Sequence, residues 1–181
     1  GTHMSMEDIG VIRSIPSMVI FEPVDIIQLK KSMPKLVDYD GPVYIRLFRK
    51  ERPIIYSEDY EFDLFKADIS EALEAEKILR EKGINAEIIN VHTIKPIDSD
   101  TILRSVAKTG CIVTAENHNV IGGLRSAIAE VLCEKYPVPL RSVGVEDLFG
   151  EVGTLDELKV RFGLTAENIA AKAQEVIEAK R

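Results

Sequence analysis
The stretch from Gly83 to Gly123, GINAEIINVHTIKPIDSDTILRSVAKTGCIVTAENHNVIGG, limits the possible fold more than any other part of the chain. Its pattern reads as strand (Ile84–Val91), helix (Asp98–Lys108, stopped by Gly110), strand (Cys111–Ala115) and a glycine-closed turn. Such alternation suits a small parallel sheet with helices on both faces. Each strand is followed by a polar cluster, His92-Thr93-Ile94-Lys95-Pro96 and then Glu116-Asn117-His118-Asn119. In an open parallel sheet, ligand and partner contacts gather where strands end, so these clusters are expected to form a working edge.

The flanking sequence extends the same alternation. Met6–Ser14 reads as a short helix stopped by Pro16, Met18–Phe21 as a buried strand, and the stretch after Pro23 as a helix running to about Ser32, where Pro34 interrupts it. Val43–Phe48 is rich in β-branched and aromatic residues and reads as a strand. Pro53–Ile69 has neither period and reads as a linker. Glu71–Lys82 is an amphipathic helix ended by Gly83. Its lack of a feeding strand makes the second segment look as though its first strand is missing. Further helices are expected over Gly123–Tyr136, after the capping-box pattern Thr154-Leu-Asp-Glu157, and from Thr165, with a strand at Pro139–Val143. The fold class is α/β, with a small, mainly parallel sheet flanked by helices.

The chain has 181 residues, 45% of them hydrophobic, which suits one domain or two small ones. A net charge of −7 argues against a general nucleic-acid or anionic-membrane surface. No apolar run approaches membrane-spanning length, no signal peptide is visible, and Cys111 and Cys133 read as reduced core thiols, so the expected setting is cytoplasmic. Gly1-Thr2-His3-Met4 matches the scar of a cleaved expression tag.

Candidate chemistry is sparse. Gly122-Gly123 before a helix has the form of a phosphate cradle, although no G-x-G-x-x-G or Walker pattern accompanies it, and a tight turn is the plainer reading. Glu116-x-His118 offers at most half a metal site, which favours a hydrogen-bonded contact pair. His92 is either a general base or, as the favoured reading, a packed loop histidine. Arg49 and Lys50 fall just past the end of the Val43 strand, where a guanidinium is suited to phosphate, or else they begin a solvated basic patch.

INVHTIKPID, TAENHNVIGG, VGVEDLFGEVGTLDEL and FGLTAENI, in this order, resemble the C-terminal domain of transketolase, and most of all the separate C-terminal subunit of split transketolases. MSMEDIGVIRSIPSMVIFEPVD with PVYIRLFRK is similar to the last part of that enzyme's pyrimidine-binding domain. The resemblance implies residues 1–52 from the pyrimidine-binding domain, a linker over 53–69 and the C-terminal domain over 70–181. It implies transfer of a two-carbon ketol unit between sugar phosphates with thiamine diphosphate and Mg2+. The cofactor would be held in an assembly with the diphosphate-binding, N-terminal subunit, self-associated as a dimer. Thr2-His3 then matches a native T-H motif. His3 and Arg49 match substrate-binding positions, for the sugar and its phosphate respectively, and no catalytic, cofactor or metal residue is carried over.

The cofactor-activating glutamate and stacking aromatics of the family have no counterpart here, nor does a family strand ending in a Thr-Gly turn between Ile69 and Ser70. Omission of that strand from the sequence is preferred to its deletion, because losing it would expose a helix face. The alternative function is a non-catalytic assembly module of a thiamine-dependent complex, with the strand-end loops making subunit contacts. A third is a phosphate-ligand domain built on Gly122-Gly123.

Overall fold
A computed structural model describes residues 5–48, 52–70 and 74–180. Helix α1 (Asp8–Arg13) precedes strand β1 (Val19–Phe21), helix α2 (Ile26–Asp38) and strand β2 (Val43–Ile45). β1 and β2 pair in parallel, with Val19 opposite Val43, as the strand–helix–strand pattern requires. The α/β class with a small helix-flanked sheet is observed.

Helix α2 does not stop at Pro34 but runs through it to Asp38. Proline removes one amide and crowds the carbonyl four residues back, and on this exposed face water can serve that carbonyl. Leu36 fixes the last turn, since it is buried with Val19, Phe21, Phe62 and Leu64. Burying a side chain of this size contributes about 1.5–3 kcal/mol, which is comparable with the cost of the proline.

Residues 53–67 carry no regular structure but are fastened along their length. Phe62 and Leu64 enter the first core, and Phe62 meets Phe21 edge-on at 5.4 Å. Two helix-capping carboxylates hold the ends. Asp25 caps α2 at the Gln28 amide and also accepts the Ile55 and Tyr56 amides at 2.6 and 2.8 Å. Asp98 caps the later helix that begins at Ser99 and accepts the Ala67 amide at 3.0 Å. Each supplies a buried acceptor to backbone that no ladder satisfies.

The segment after residue 67 begins with β3 (Asp68–Ser70), so Ile69 and Ser70 lie in one continuous short strand ahead of α3 (Glu74–Glu81). β3 pairs antiparallel with β4 (Ile88–Asn90). Then follow β5 (Thr93–Lys95), α4 (Ser99–Thr109), β6 (Ile112–Asn119), α5 (Leu124–Lys135), β7 (Leu140–Val145), α6 (Leu155–Arg161) and α7 (Ala166–Glu178). β6 and β7 pair in parallel from Ile112–Leu140 onward.

Two expectations at strand ends are corrected. Thr93–Lys95 is not a loop at a working edge. It forms β5, which crosses to the first sheet and pairs antiparallel with β1 in the order β2-β1-β5. Ile94 drives this by packing into one core with Ile9, Ile20 and Ala127, drawn from both ends of the sequence. Glu116–Asn119 likewise is not a loop, because β6 continues through it to Asn119, opposite Val145. The Lys95–Pro96 peptide is cis.

Candidate functional site
The carboxyl ends of β1 and β2 meet the distal half of β6 and the start of α1 in a seam of buried charge. Arg46, the first residue beyond β2, is at its centre with a side chain only 14% exposed. Its Nε donates to Asp8 Oδ2 at 3.0 Å. Its Nη1 donates to Glu22 Oε1 at 2.8 Å and to Asn117 Oδ1 at 2.6 Å. Its Nη2 donates to the Ser5 carbonyl at 3.2 Å. Tyr44 Oη donates to Asp8 Oδ2 at 2.7 Å. Both carboxylates and the guanidinium fork are thus engaged, as a buried charge requires.

The electrostatics follow from burial against pairing. For Asp8 burial alone would raise the pKa, but the approach of His118, the Tyr44 hydroxyl and Arg46 outweigh it and hold the carboxyl far below its ordinary 3.8. For Glu22 burial wins and pushes the carboxyl above its ordinary value despite Arg46. Tyr44 is pushed up to about 12 by burial and by its bond to Asp8. Burial would lower Arg46, but Glu22 and Asp8 overcome it and raise its pKa.

His118 is fully buried and joins the same seam. Its Nε2 accepts the Ile9 amide at 3.2 Å, so Nδ1 carries the proton and donates to the Asn119 carbonyl at 2.7 Å. Asp8 Oδ1 lies 3.4 Å from the same Nε2. The imidazole is a connector between α1 and β6, with both nitrogens occupied.

Glu116 decides the fate of the glycine turn. Its Oε2 and Oε1 accept the Leu124 and Arg125 amides at 2.7 and 2.9 Å, the free donors at the start of α5. The plainer reading of Gly122-Gly123, a tight turn, is the one observed, and the helix N-terminus is filled by a carboxylate of the chain itself. Gly123 is required by that closure, since a Cβ there would lie 2.0 Å from Glu116 Oε2. Gly122, at φ +80°, lets Gly10 of α1 approach so closely that a Cβ would stand 2.7 Å from its Cα. Burial holds Glu116 above its usual carboxylate range, against the two amide bonds.

His92 is placed away from this seam. It packs among Phe21 and Phe62, at ring distances of 5.6 and 5.0 Å, and its Nδ1 lies 3.0 Å from Thr93 Oγ1. The packed reading holds and the general-base reading finds no support there. His3 and Arg49 lie outside the described residues. Ser5 and Arg46, two and three residues from those positions in sequence, are joined in the seam. No motif singles out Asp8 or Glu22, and Arg46 reads from sequence only as a residue of the Val43 strand with no distinct role. The available signal was that each is a charged residue at the first position of a helix or just past a strand end.

Comparison with known proteins follows this architecture closely. The model of the transketolase C-terminal domain matches residues 67–169. The chain is 52% identical over 196 residues to the 6-deoxy-6-sulfo-D-fructose transketolase subunit SqwH of Clostridium sp. strain MSTE9, covering 99% of this chain and 61% of that protein. It is 37% identical over 193 residues to the putative transketolase C-terminal section of Methanocaldococcus jannaschii, covering 96% of this chain and 60% of that protein. Among solved structures, a split-gene transketolase described as an inactive β4 tetramer superposes with a TM-score of 0.95 at 38% identity, covering 99% of this chain and 64% of that one. The chain thus spans about three fifths of these relatives. The 196-residue alignment is longer than the chain's 181 residues, so the Clostridium protein holds residues inside the matched span that have no counterpart here. Domain match, global superposition and sequence identity agree, and the chain belongs to the transketolase C-terminal domain family.

Proposed function
We propose that this chain is the C-terminal component of a split transketolase. In complex with a diphosphate-binding subunit it would transfer a two-carbon ketol unit between sugar phosphates. The observation that carries the reading is the superposition on a split-gene transketolase over nearly the whole chain. On this reading residues 1–52 belong to a pyrimidine-binding domain, 53–69 connect, and 70–181 form the C-terminal domain. His3 contacts the sugar, Arg49 binds its phosphate, and the assembly self-associates in the cytoplasm.

The described residues do not fit the diphosphate and metal ends of thiamine diphosphate with Mg2+. Among them no three His, Cys, Asp or Glu side chains converge as metal ligands, and Glu116 occupies the amides at the start of α5. The partner subunit is assigned that role, and no reaction step is placed on the seam. The seam sets the relative position of the two segments.

A second donor is favoured by one observation. The 52%-identical relative is named for 6-deoxy-6-sulfo-D-fructose, in which a sulfonate stands where a sugar phosphate has its ester. A guanidinium serves either anion. Assay of the chain mixed with its partner subunit, thiamine diphosphate and Mg2+ tests both readings, using fructose 6-phosphate and its 6-deoxy-6-sulfo analogue as donors. Thiamine-dependent transfer to an aldose phosphate is expected from at least one donor. No transfer from either overturns the proposal.

A further inference from the structure
The end of β7 leads into a segment that displays apolar side chains to water without using them for folding. Phe149 is 89% exposed, Val152 83%, Val160 73% and Leu148 44%. Isolated exposed apolar residues are ordinary, but these four fall within thirteen residues of sequence, from Leu148 to Val160.

This substructure is held in place by its polar groups. Asp147 turns the chain at φ +43° as it leaves β7. Thr154 and Glu157 close a capping box at the start of α6, with the Thr154 amide 2.9 Å from Glu157 Oε2. Glu151 pairs with Arg161 across the loop at 2.9 Å. Gly153 sits against Leu158 so closely that a Cβ would meet its Cδ2 at 3.3 Å. The outward display of Phe149 and Val152 is thereby fixed. Because Asn119 is opposite Val145, the display lies at the same strand ends as the buried seam.

The rim is acidic on balance. Residues 146–161 hold Glu146, Asp147, Glu151, Asp156 and Glu157 against Lys159 and Arg161. Two copies meeting through this face would juxtapose like charges, in a chain already at −7, and like-charge contact disfavours a partner.

We propose that Leu148, Phe149, Val152 and Val160 form a docking face for a protein surface with an apolar pocket rimmed by lysine and arginine. Resting on the split-enzyme reading above, that surface belongs to the diphosphate-binding subunit and not to a second copy of this chain. Phe149 is the central anchor, as buried aromatics are in most interfaces. The acidic rim sets orientation and salt dependence.

Analytical ultracentrifugation of the full chain, alone and with the partner subunit, tests this with two double variants. Phe149→Ser/Val152→Ser is expected to weaken partner binding about tenfold or more while leaving self-association and the thermal midpoint unchanged. Glu146→Gln/Asp147→Asn is expected to weaken binding less and to flatten its salt dependence. Asn is chosen because it tolerates positive φ. Wild-type affinity in the first variant, or loss of self-association instead, overturns the proposal. A wild-type chain that fails to bind the partner at all overturns the split-enzyme reading itself.

Discussion

Arg46 Nη1 lies 2.6 Å from Asn117 Oδ1, a bond between residues 71 apart in sequence that joins the first sheet to β6. The same guanidinium also holds Asp8 and Glu22, so one side chain unites the ends of β2, β1 and β6 with the start of α1. Arg46→Met is expected to cost about 3–5 kcal/mol, because it strands two buried carboxylates. Asn117→Ala removes one acceptor from a guanidinium that keeps its carboxylates, and is expected to cost about 1–2 kcal/mol. Urea unfolding of both variants checks the order, and equal losses would show that the carboxylates do not depend on Arg46.

The seam also fixes the acid response. Asp8 has a folded pKa depressed below 3.8, so its contribution is complete above that value and is lost as pH falls towards the lower folded value. Glu22 and Glu116 act in the opposite sense. Their folded values are raised above 4.5, so each opposes folding when ionised, and that penalty lifts as pH falls through the raised value. Stability is therefore expected to hold or rise slightly from neutral pH into mild acid and then to fall below 3.8. Asp8→Asn is expected to cost about 1–3 kcal/mol at neutral pH and to show a shallower acid decline. Urea midpoints across pH measure this, and an unchanged acid limb would remove Asp8 from the account.

Three glycines should separate by what surrounds them. Gly123→Ala drives a methyl onto Glu116 and Gly122→Ala drives one onto the Gly10 backbone at positive φ; each is expected to cost about 1–3 kcal/mol or more. Gly83 also has positive φ, but nothing lies within 4 Å of an added Cβ. Gly83→Ala should therefore cost only the conformational term, about 1–2 kcal/mol. Thermal melts of the three check the ranking.

Arg49 is expected to act on substrate and not on folding. In the assembled enzyme, Arg49→Ala should raise KM for phosphorylated sugars about tenfold or more with kcat less affected, as expected for loss of a charge-assisted contact. Its thermal midpoint should match wild type. A collapse in stability with unchanged KM would make Arg49 structural.

Much of this fold was legible because its signals are local. The periodicity and stop glycine placed α4, which ends at Gly110 with φ +69°. The Thr154–Glu157 spacing gave the capping box of α6. What stayed hidden depends on distant partners. Thr93–Lys95 becomes a strand only because β1, more than seventy residues earlier in sequence, offers it an edge. Pro34 is tolerated because Leu36 reaches a core that it shares with Val19 and Phe21 of β1 and with Phe62 and Leu64. The seam was invisible for the same reason. Arg46 can be read as a strand residue from alternation, but its partners Ser5, Asp8, Glu22 and Asn117 come together only once the chain has folded. Gly122-Gly123 invited a phosphate because the carboxylate that fills the helix start arrives from β6.

On the proposed function, this chain positions and recognises while its chemistry needs a second subunit. Titrating the chain into a fixed amount of the diphosphate-binding subunit, with thiamine diphosphate and Mg2+ present, measures this directly as the rate of two-carbon transfer. No transfer is expected from either component alone, and the rate is expected to rise and saturate near equal amounts. Transfer by this chain alone, or none at any ratio, would contradict the proposal.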